Sequence, residues 1–192
     1  STAQLNKLQL QSALKNDFTL GSPSNSKDIL MYLRGIFVDA SSSGSNRNSG
    51  LNSDNCVRTF STAATKLKNQ LRSDSTFPKR IVVVNGTLTS DYQRDSLNMS
   101  DVEGVIVMPY SANATSMITV PMSSGRYNYS LTMTNVTLTG GTDLKDEYPK
   151  ALLTVNSSST VTLNNVKTEK TVNAICANGG SVTLNDCHSL TA

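Results

Sequence analysis

Leu131-Thr-Met-Thr-Asn-Val136, Val161-Thr-Leu-Asn-Asn-Val166 and Val182-Thr-Leu-Asn-Asp-Cys187 are three copies of one six-residue unit. The copies begin at residues 131, 161 and 182, offsets of 30 and 21 residues. The longer interval holds the charged segment 141–150, which reads as an outward loop and leaves an underlying period close to 21. Before each later copy stands a second short apolar run, Ala151-Leu-Leu-Thr-Val155 and Ala174-Ile-Cys-Ala177, followed by Asn and small residues. A fixed period in the low twenties that carries two or three short strands is the signature of a solenoid. Leucine-rich repeats share the period but require L-x-x-L-x-L units with helical connections, whereas these units are V-T-L strands joined by tight turns. The repeat therefore predicts an all-β fold, a parallel β-helix.

In such a fold, equivalent residues of successive coils stack directly over one another, about 4.8 Å apart. Val136, Val166 and Cys187 are expected to form one inward stack. Asn135, Asn165 and Asp186 are expected to stack at the adjacent turn, where their side chains bond to one another and to free backbone groups. This ladder is read as structural.

Upstream of the repeat the pattern changes. Ile81-Val-Val-Val84 and Val105-Ile-Val-Met108 are short strands, and four consecutive apolar residues imply strands covered on both faces. Before them Val57, Phe60, Ala64, Leu67 and Leu71 recur at steps of three and four, one face of an amphipathic helix that Thr59 or Ser61 would cap. Lys66, Lys68 and Arg72 fall on its other face, read as solvated. The first coil of a β-helix exposes an apolar disc and free strand edges, so this helix is the expected lid. Earlier still, Ile36-Phe-Val-Asp39 reads as a strand and residues 40–55, nearly devoid of apolar side chains, as a surface loop. Leu5, Leu8 and Leu10 suit a strand as well as Leu5, Leu8 and Leu14 suit a helix, so the type of that segment stays open. The expected organisation is an N-terminal extension over 1–35, a strand, loop and capping helix over 36–80, and coils over 81–192. Because the last copy is followed by no capping element, more coils or end-to-end contacts between copies are expected there.

Composition agrees with a β-rich chain. Hydrophobic residues are 37% and charged residues 16% of the 192, so Ser, Thr and Asn carry much of the solvation. Those residues are poor helix formers, and Thr alternating with Val, Ile or Leu fits a half-buried strand. The net charge of +3 comes from 17 basic and 14 acidic residues with no run of either sign, so no nucleic acid partner is expected. Apolar stretches are too short to span a bilayer, so no membrane insertion is expected either. Cys56, Cys176 and Cys187 lack C-x-x-C spacing and read as small buried hydrophobes, with Cys176 and Cys187 the one pair near enough in sequence to suggest a disulfide.

The stretch Ile36-Phe-Val-Asp-Ala-Ser-Ser-Ser-Gly-Ser-Asn-Arg-Asn-Ser-Gly50, then Val57-Arg-Thr-Phe-Ser-Thr-Ala63 and Ile81-Val-Val-Val-Asn-Gly86, resembles the opening of right-handed parallel β-helix proteins of the pectate-lyase-like superfamily. Its specific part spans residues 36–86, and the repeats extend it to 192. The resemblance implies a right-handed coil entered through a strand, a G-S-D-x-N-x-G loop and a capping helix. Many such proteins are large surface proteins of Gram-positive bacteria, adhesins and polysaccharide lyases among them, which implies an extracellular, cell-surface or secreted location. Asn46 and Arg47 stand where the family's loop aspartate would be, which counts against a cation in that loop.

Catalytic patterns are sparse. A lyase of this fold would need carboxylates holding calcium beside a Lys or Arg base. The nearest group is Asp143, Asp146 and Glu147 in the inserted loop, the one candidate calcium site, although a solvated loop is the default reading. A glycosidase would need two carboxylates across a groove. Asp91, Asp95, Asp101 and Glu103 instead flank turns, and the chain has no Trp. The single His188 has no partner motif. No other cofactor is expected. With these patterns missing, the resemblance implies a non-catalytic adhesin or structural module that presents loops 40–55 and 141–150 to a host-surface protein or glycan. The N-terminal part of a carbohydrate-active enzyme and a self-assembling fibre subunit are the alternatives.

Overall fold

The computed structural model describes residues 33–99, 104–107, 118–140 and 151–189. Within them lie thirteen strands and one helix: β1 (Ile36–Asp39), α1 (Phe60–Ser73), β2 (Arg80–Thr87), β3 (Arg94–Asn98), β4 (Gly104–Val107), β5 (Ile118–Val120), β6 (Ser130–Thr134), β7 (Thr137–Gly140), β8 (Ala151–Asn156), β9 (Thr160–Asn164), β10 (Lys167–Glu169), β11 (Asn173–Asn178), β12 (Ser181–Asn185) and β13 (His188–Ser189). The predicted mostly-β class is observed. The segment whose type stayed open falls almost wholly in residues 1–32, outside the described residues.

Every strand pairing is parallel. A nine-stranded sheet runs β11-β8-β5-β2-β4-β7-β10-β13 with β1 also beside β2, and a four-stranded sheet runs β12-β9-β6-β3. β2 belongs to both arms of the larger sheet, since Arg80 to Val83 pair with β4 while Gly86 and Thr87 pair with β5. Apart from β2 and β4, which are two apart, neighbours within an arm or within the smaller sheet are three strands apart in sequence. The chain therefore visits the first arm, the second arm and the smaller sheet in turn, as β4-β5-β6, then β7-β8-β9, then β10-β11-β12.

The sequence repeat is the register of the smaller sheet. Leu131 lies opposite Val161 and Val161 opposite Val182, while Met133, Leu163 and Leu184 share another position. Leu131, Met133, Val161 and Leu163 are each about 1% exposed or less, and the intervening Thr132 and Thr162 are only half-buried. This is the period-2 alternation of a sheet with one face in the core. β2 differs, since Ile81, Val82, Val83 and Val84 are all buried, as four apolar residues in a row implied.

Turn chemistry explains the asparagines that close each unit. Asn135, Asn165 and Asp186 have φ of 57°, 50° and 53°. The left-handed region disfavours most side chains by about 1–2 kcal/mol, and Asn and Asp tolerate it best after glycine. A β-branched residue at these positions would be strained, so the V-T-L-N-N-V pattern is also a turn specification.

Helix α1 begins where Thr59 accepts a hydrogen bond from the Thr62 amide and ends at Asp74. Phe60, Ala63 and Leu67 are buried, and Ala64 and Leu71 pack at the margin of the same core. Two details depart from the sequence reading: Ala63 faces the core more fully than Ala64, and Val57 lies before the helix, bridged to Val38. The helix touches β1, β2 and β3, the first strands of their stacks.

Candidate functional site

The surface most elaborately built from polar residues is the loop 40–58 with the start of α1. Residue by residue, its side chains turn back onto its own backbone. Asp39 Oδ1 accepts from the Ser41 amide at 2.9 Å and from the Ser41 hydroxyl at 2.6 Å. Asn46 Oδ1 accepts from the amides of Arg58 at 3.0 Å and Thr59 at 3.1 Å. Asn48 Nδ2 donates to the Cys56 carbonyl at 3.0 Å. The Asn46 amide thus ties the loop to the helix start.

Arg58 is the second tie. Its Nε donates to the Gly44 carbonyl at 2.8 Å and its Nη2 to the Ser42 carbonyl at 2.9 Å. The same guanidinium pairs with Asp91 at 3.4 Å and lies 5.5 Å over the Tyr92 ring. A planar five-donor group suits this multiple docking as an ammonium would not. Gly44 is required by close approach, because a Cβ there would stand 1.9 Å from the Asp39 carbonyl oxygen.

The loop also fills the outer edge of β1. The Phe37 amide donates to the Gly50 carbonyl at 2.7 Å, and the Phe37 carbonyl accepts from the Val57 amide at 2.9 Å. The Asp39 amide donates to the Val57 carbonyl at 2.9 Å. What read as a plain surface loop is therefore a folded plug whose exposed residues, Ser42, Ser43, Arg47 and Ser49 among them, are held on a fixed frame.

Asp95 is the residue that sequence reasoning placed wrongly, beside a turn. It lies in β3, opposite Leu131, at an interior position that holds Val161 and Val182 in later strands. It is buried, with its Oδ2 accepting from the Phe60 amide at 2.8 Å and its Oδ1 from the Ser61 amide at 3.2 Å and hydroxyl at 2.9 Å. A carboxylate against the free amides of a helix N-terminus is favourable twice over, through hydrogen bonds and through the helix dipole. Aligning Asp95-Ser-Leu-Asn98 with the repeat would have located it.

The other residues singled out from sequence distribute as follows. Val136 and Val166 are buried at 1% exposure and Cys187 is half-buried, its Sγ 3.3 Å from the Leu163 carbonyl. Asn165 Nδ2 donates to Asn135 Oδ1 at 3.0 Å, and Asn135, Asn165 and Asp186 are all exposed. Two further amide ladders went unnoticed. Asn185 donates to Asn164 at 2.7 Å, and Asn164 to the Thr134 hydroxyl at 3.3 Å. Asn178 donates to Asn156 at 3.2 Å.

Asp143, Asp146 and Glu147 lie outside the described residues, as do Asp101 and Glu103. Among the described residues no group of three or more His, Cys, Asp or Glu is placed to hold a metal. Nor is any described helix long and apolar enough to cross a membrane. Of the three cysteines only Cys56 is buried outright, so the reading of all three as core residues is corrected for the exposed Cys176 and half-buried Cys187, both free thiols. His188 is exposed on β13.

Compared with protein-family models, with curated proteins and with solved structures, the chain matches none.

Proposed function

We propose that the chain is a right-handed parallel β-helix with α1 as its lid, serving as a non-catalytic cell-surface or secreted module that holds recognition loops on a rigid rod. The observation that carries this reading is the in-register stacking of the units, apolar inside and lined outside by Ser, Thr and Asn. Strands visited in rotation, with every pairing between the described strands parallel, have a short route to closure as a coil. Parallel crossovers are right-handed in nearly all cases because of strand twist, which supports the hand.

The plugged loop 40–58 supports the presenting role. A surface that recognises a host protein or glycan gains affinity when its side chains are ordered before binding, and Asn46 and Arg58 supply that order. The polar character of Ser42, Ser43, Arg47 and Asn52 suits hydrogen bonding to a hydroxylated or amide-bearing target.

Alanine at Ser42, Ser43, Arg47, Leu51 and Asn52, together with a short Gly-Ser replacement of residues 141–150, tests the reading against arrays of host-surface proteins and glycans. These changes leave Asn46, Arg58 and the edge contacts intact, so the fold is retained. Loss of a captured ligand in either variant is the expected result. A ligand retained at full affinity by both would remove the loops from the function, and release of unsaturated sugars from acidic polysaccharides would replace the module by an enzyme.

A further inference from the structure

Four connections carry the chain from the second arm to the smaller sheet, 88–93, 121–129, 157–159 and 179–180, and all four lie within the described residues. Two or three residues suffice for the last two. The connection from Pro121 to Tyr129 takes nine, in a layer with described strands on both sides of it. Its residues form a fixed knuckle. The Ser124 amide donates to the Tyr127 carbonyl at 2.7 Å and the Tyr127 amide to the Ser124 carbonyl at 3.1 Å, closing a two-residue turn over Gly125 and Arg126. At the root, the Ser123 amide donates to the Ser157 carbonyl at 3.0 Å, and the Ser123 hydroxyl lies 3.0 Å from that of the fully buried Ser159. Ser123 Oγ also accepts from the Tyr129 amide at 2.7 Å, and the Ser159 hydroxyl donates to the Pro121 carbonyl. Both ends of the knuckle are thus pinned to the next layer.

This frame holds Met122 and Arg126 outward. Met122 is 64% exposed, and the exposed Arg126 sets its guanidinium 5.3 Å over the half-buried Tyr127 ring. Tyr127 in turn lies 6.2 Å from the buried Tyr129 ring. A fixed aromatic base that carries an arginine and a methionine has the composition of the energetic centre of a protein interface. The unbranched thioether adapts its shape to an apolar neighbour. Arg126 makes no ion pair among the described residues, and residues 118–140 and 151–166 contain no Asp or Glu. A guanidinium stacked on a ring keeps its in-plane donors for a carboxylate, which it engages through two parallel bonds.

We propose that residues 121–129 are a docking point for a protein partner that sets an acidic side chain against Arg126 and an apolar one against Met122. The charge of the patch selects the acidic group, and the order of the knuckle before contact lowers the entropy lost on binding. A sugar fits less well. It would need an open aromatic face to stack on, whereas Arg126 takes one face of the half-buried Tyr127 and Tyr129 is buried. The inference goes beyond the presenting loops and does not depend on what they bind.

Selection of a displayed library of randomised peptides on the 192-residue chain tests it, followed by titration of the enriched peptides against variants. The enriched peptides are expected to share an Asp or Glu next to an apolar residue. They should bind about tenfold or more weakly to Arg126→Ala and to Met122→Ser. Both residues are exposed, so the variants stay folded, which circular dichroism verifies. Arg47→Ala, on the loop 40–58, should leave this binding unchanged, so failure of the loops and failure of the knuckle are read separately. No enrichment, enriched peptides that lack an acidic residue, or binding indifferent to either knuckle variant overturns the proposal. A glycan-array signal that depends on Arg126 would overturn the protein partner in favour of a sugar.

Discussion

At the first-strand end, Phe60, Ala63 and Leu67 of α1 reach into the core, the loop plugs the edge of β1, and Asp95 turns an interior position into a seat for a helix N-terminus. At the last-strand end, the same interior positions hold Val182, half-buried against the core, and Leu184, exposed, with no described strand beyond them. Identical strand geometry thus has opposite consequences depending on its neighbours. A leucine at one register position is a core residue in β9 and a surface residue in β12. The lesson is that burial in a stack of repeats belongs to the layer pair and not to the residue, as nearest-neighbour energetics of repeat proteins would have it.

The largest test of this comparison is the pair Leu163→Ala and Leu184→Ala. The first should lower unfolding free energy by about 2–5 kcal/mol, and the second by less than about 1 kcal/mol. Denaturant titration measures both, and equal losses would break the distinction between the ends. Next in size is Asp95→Leu, which installs the residue type that the repeat would dictate. It should nonetheless destabilise by about 2–3 kcal/mol, because the Phe60 and Ser61 amides lose a charged acceptor in a buried place. A neutral or stabilising result would mean that the helix start finds other partners.

Asn165→Ala should lose about 1–2 kcal/mol through its left-handed φ and its ladder bond, and Asn165→Gly should recover the conformational part. If alanine and glycine behave alike, the amide bond and not the backbone governs that turn. The smallest effect belongs to Asp74 at the helix C-terminus. The Thr76 hydroxyl and amide, followed by Arg34, hold its carboxyl below the ordinary value of 3.8. A lowered folded-state pKa contributes stability that is present above the unfolded value and lost as pH falls through the folded one. Melting curves of wild type and Asp74→Asn should therefore differ slightly at neutral pH and converge in strong acid.

The repeat was legible because its constraint is local and recurrent. Six residues fix a strand and its exit turn, and aligning three copies reproduces the strand register of β6, β9 and β12. The helix was legible from its apolar spacing and its Thr59 cap. Asp95 was not, because a first-layer strand answers to a helix on one side and to a repeat on the other, and its charge hides its kinship with Leu131. The plug was also illegible. Its stability comes from amide and guanidinium groups that bond backbone at separations of up to 16 residues, and no periodicity marks such contacts.

The connections between layers carry a further consequence. Successive strands of the smaller sheet are in register although 36, 30 and 21 residues separate their starts, Arg94, Ser130, Thr160 and Ser181. The interior therefore senses the strands and is indifferent to what is spliced between them, and closing a longer connection costs only a logarithmic increment of entropy. Such a scaffold can acquire, lengthen or exchange outer loops over evolutionary time while its core sequence stands still, so relatives are expected to vary most in length between strands and least within them.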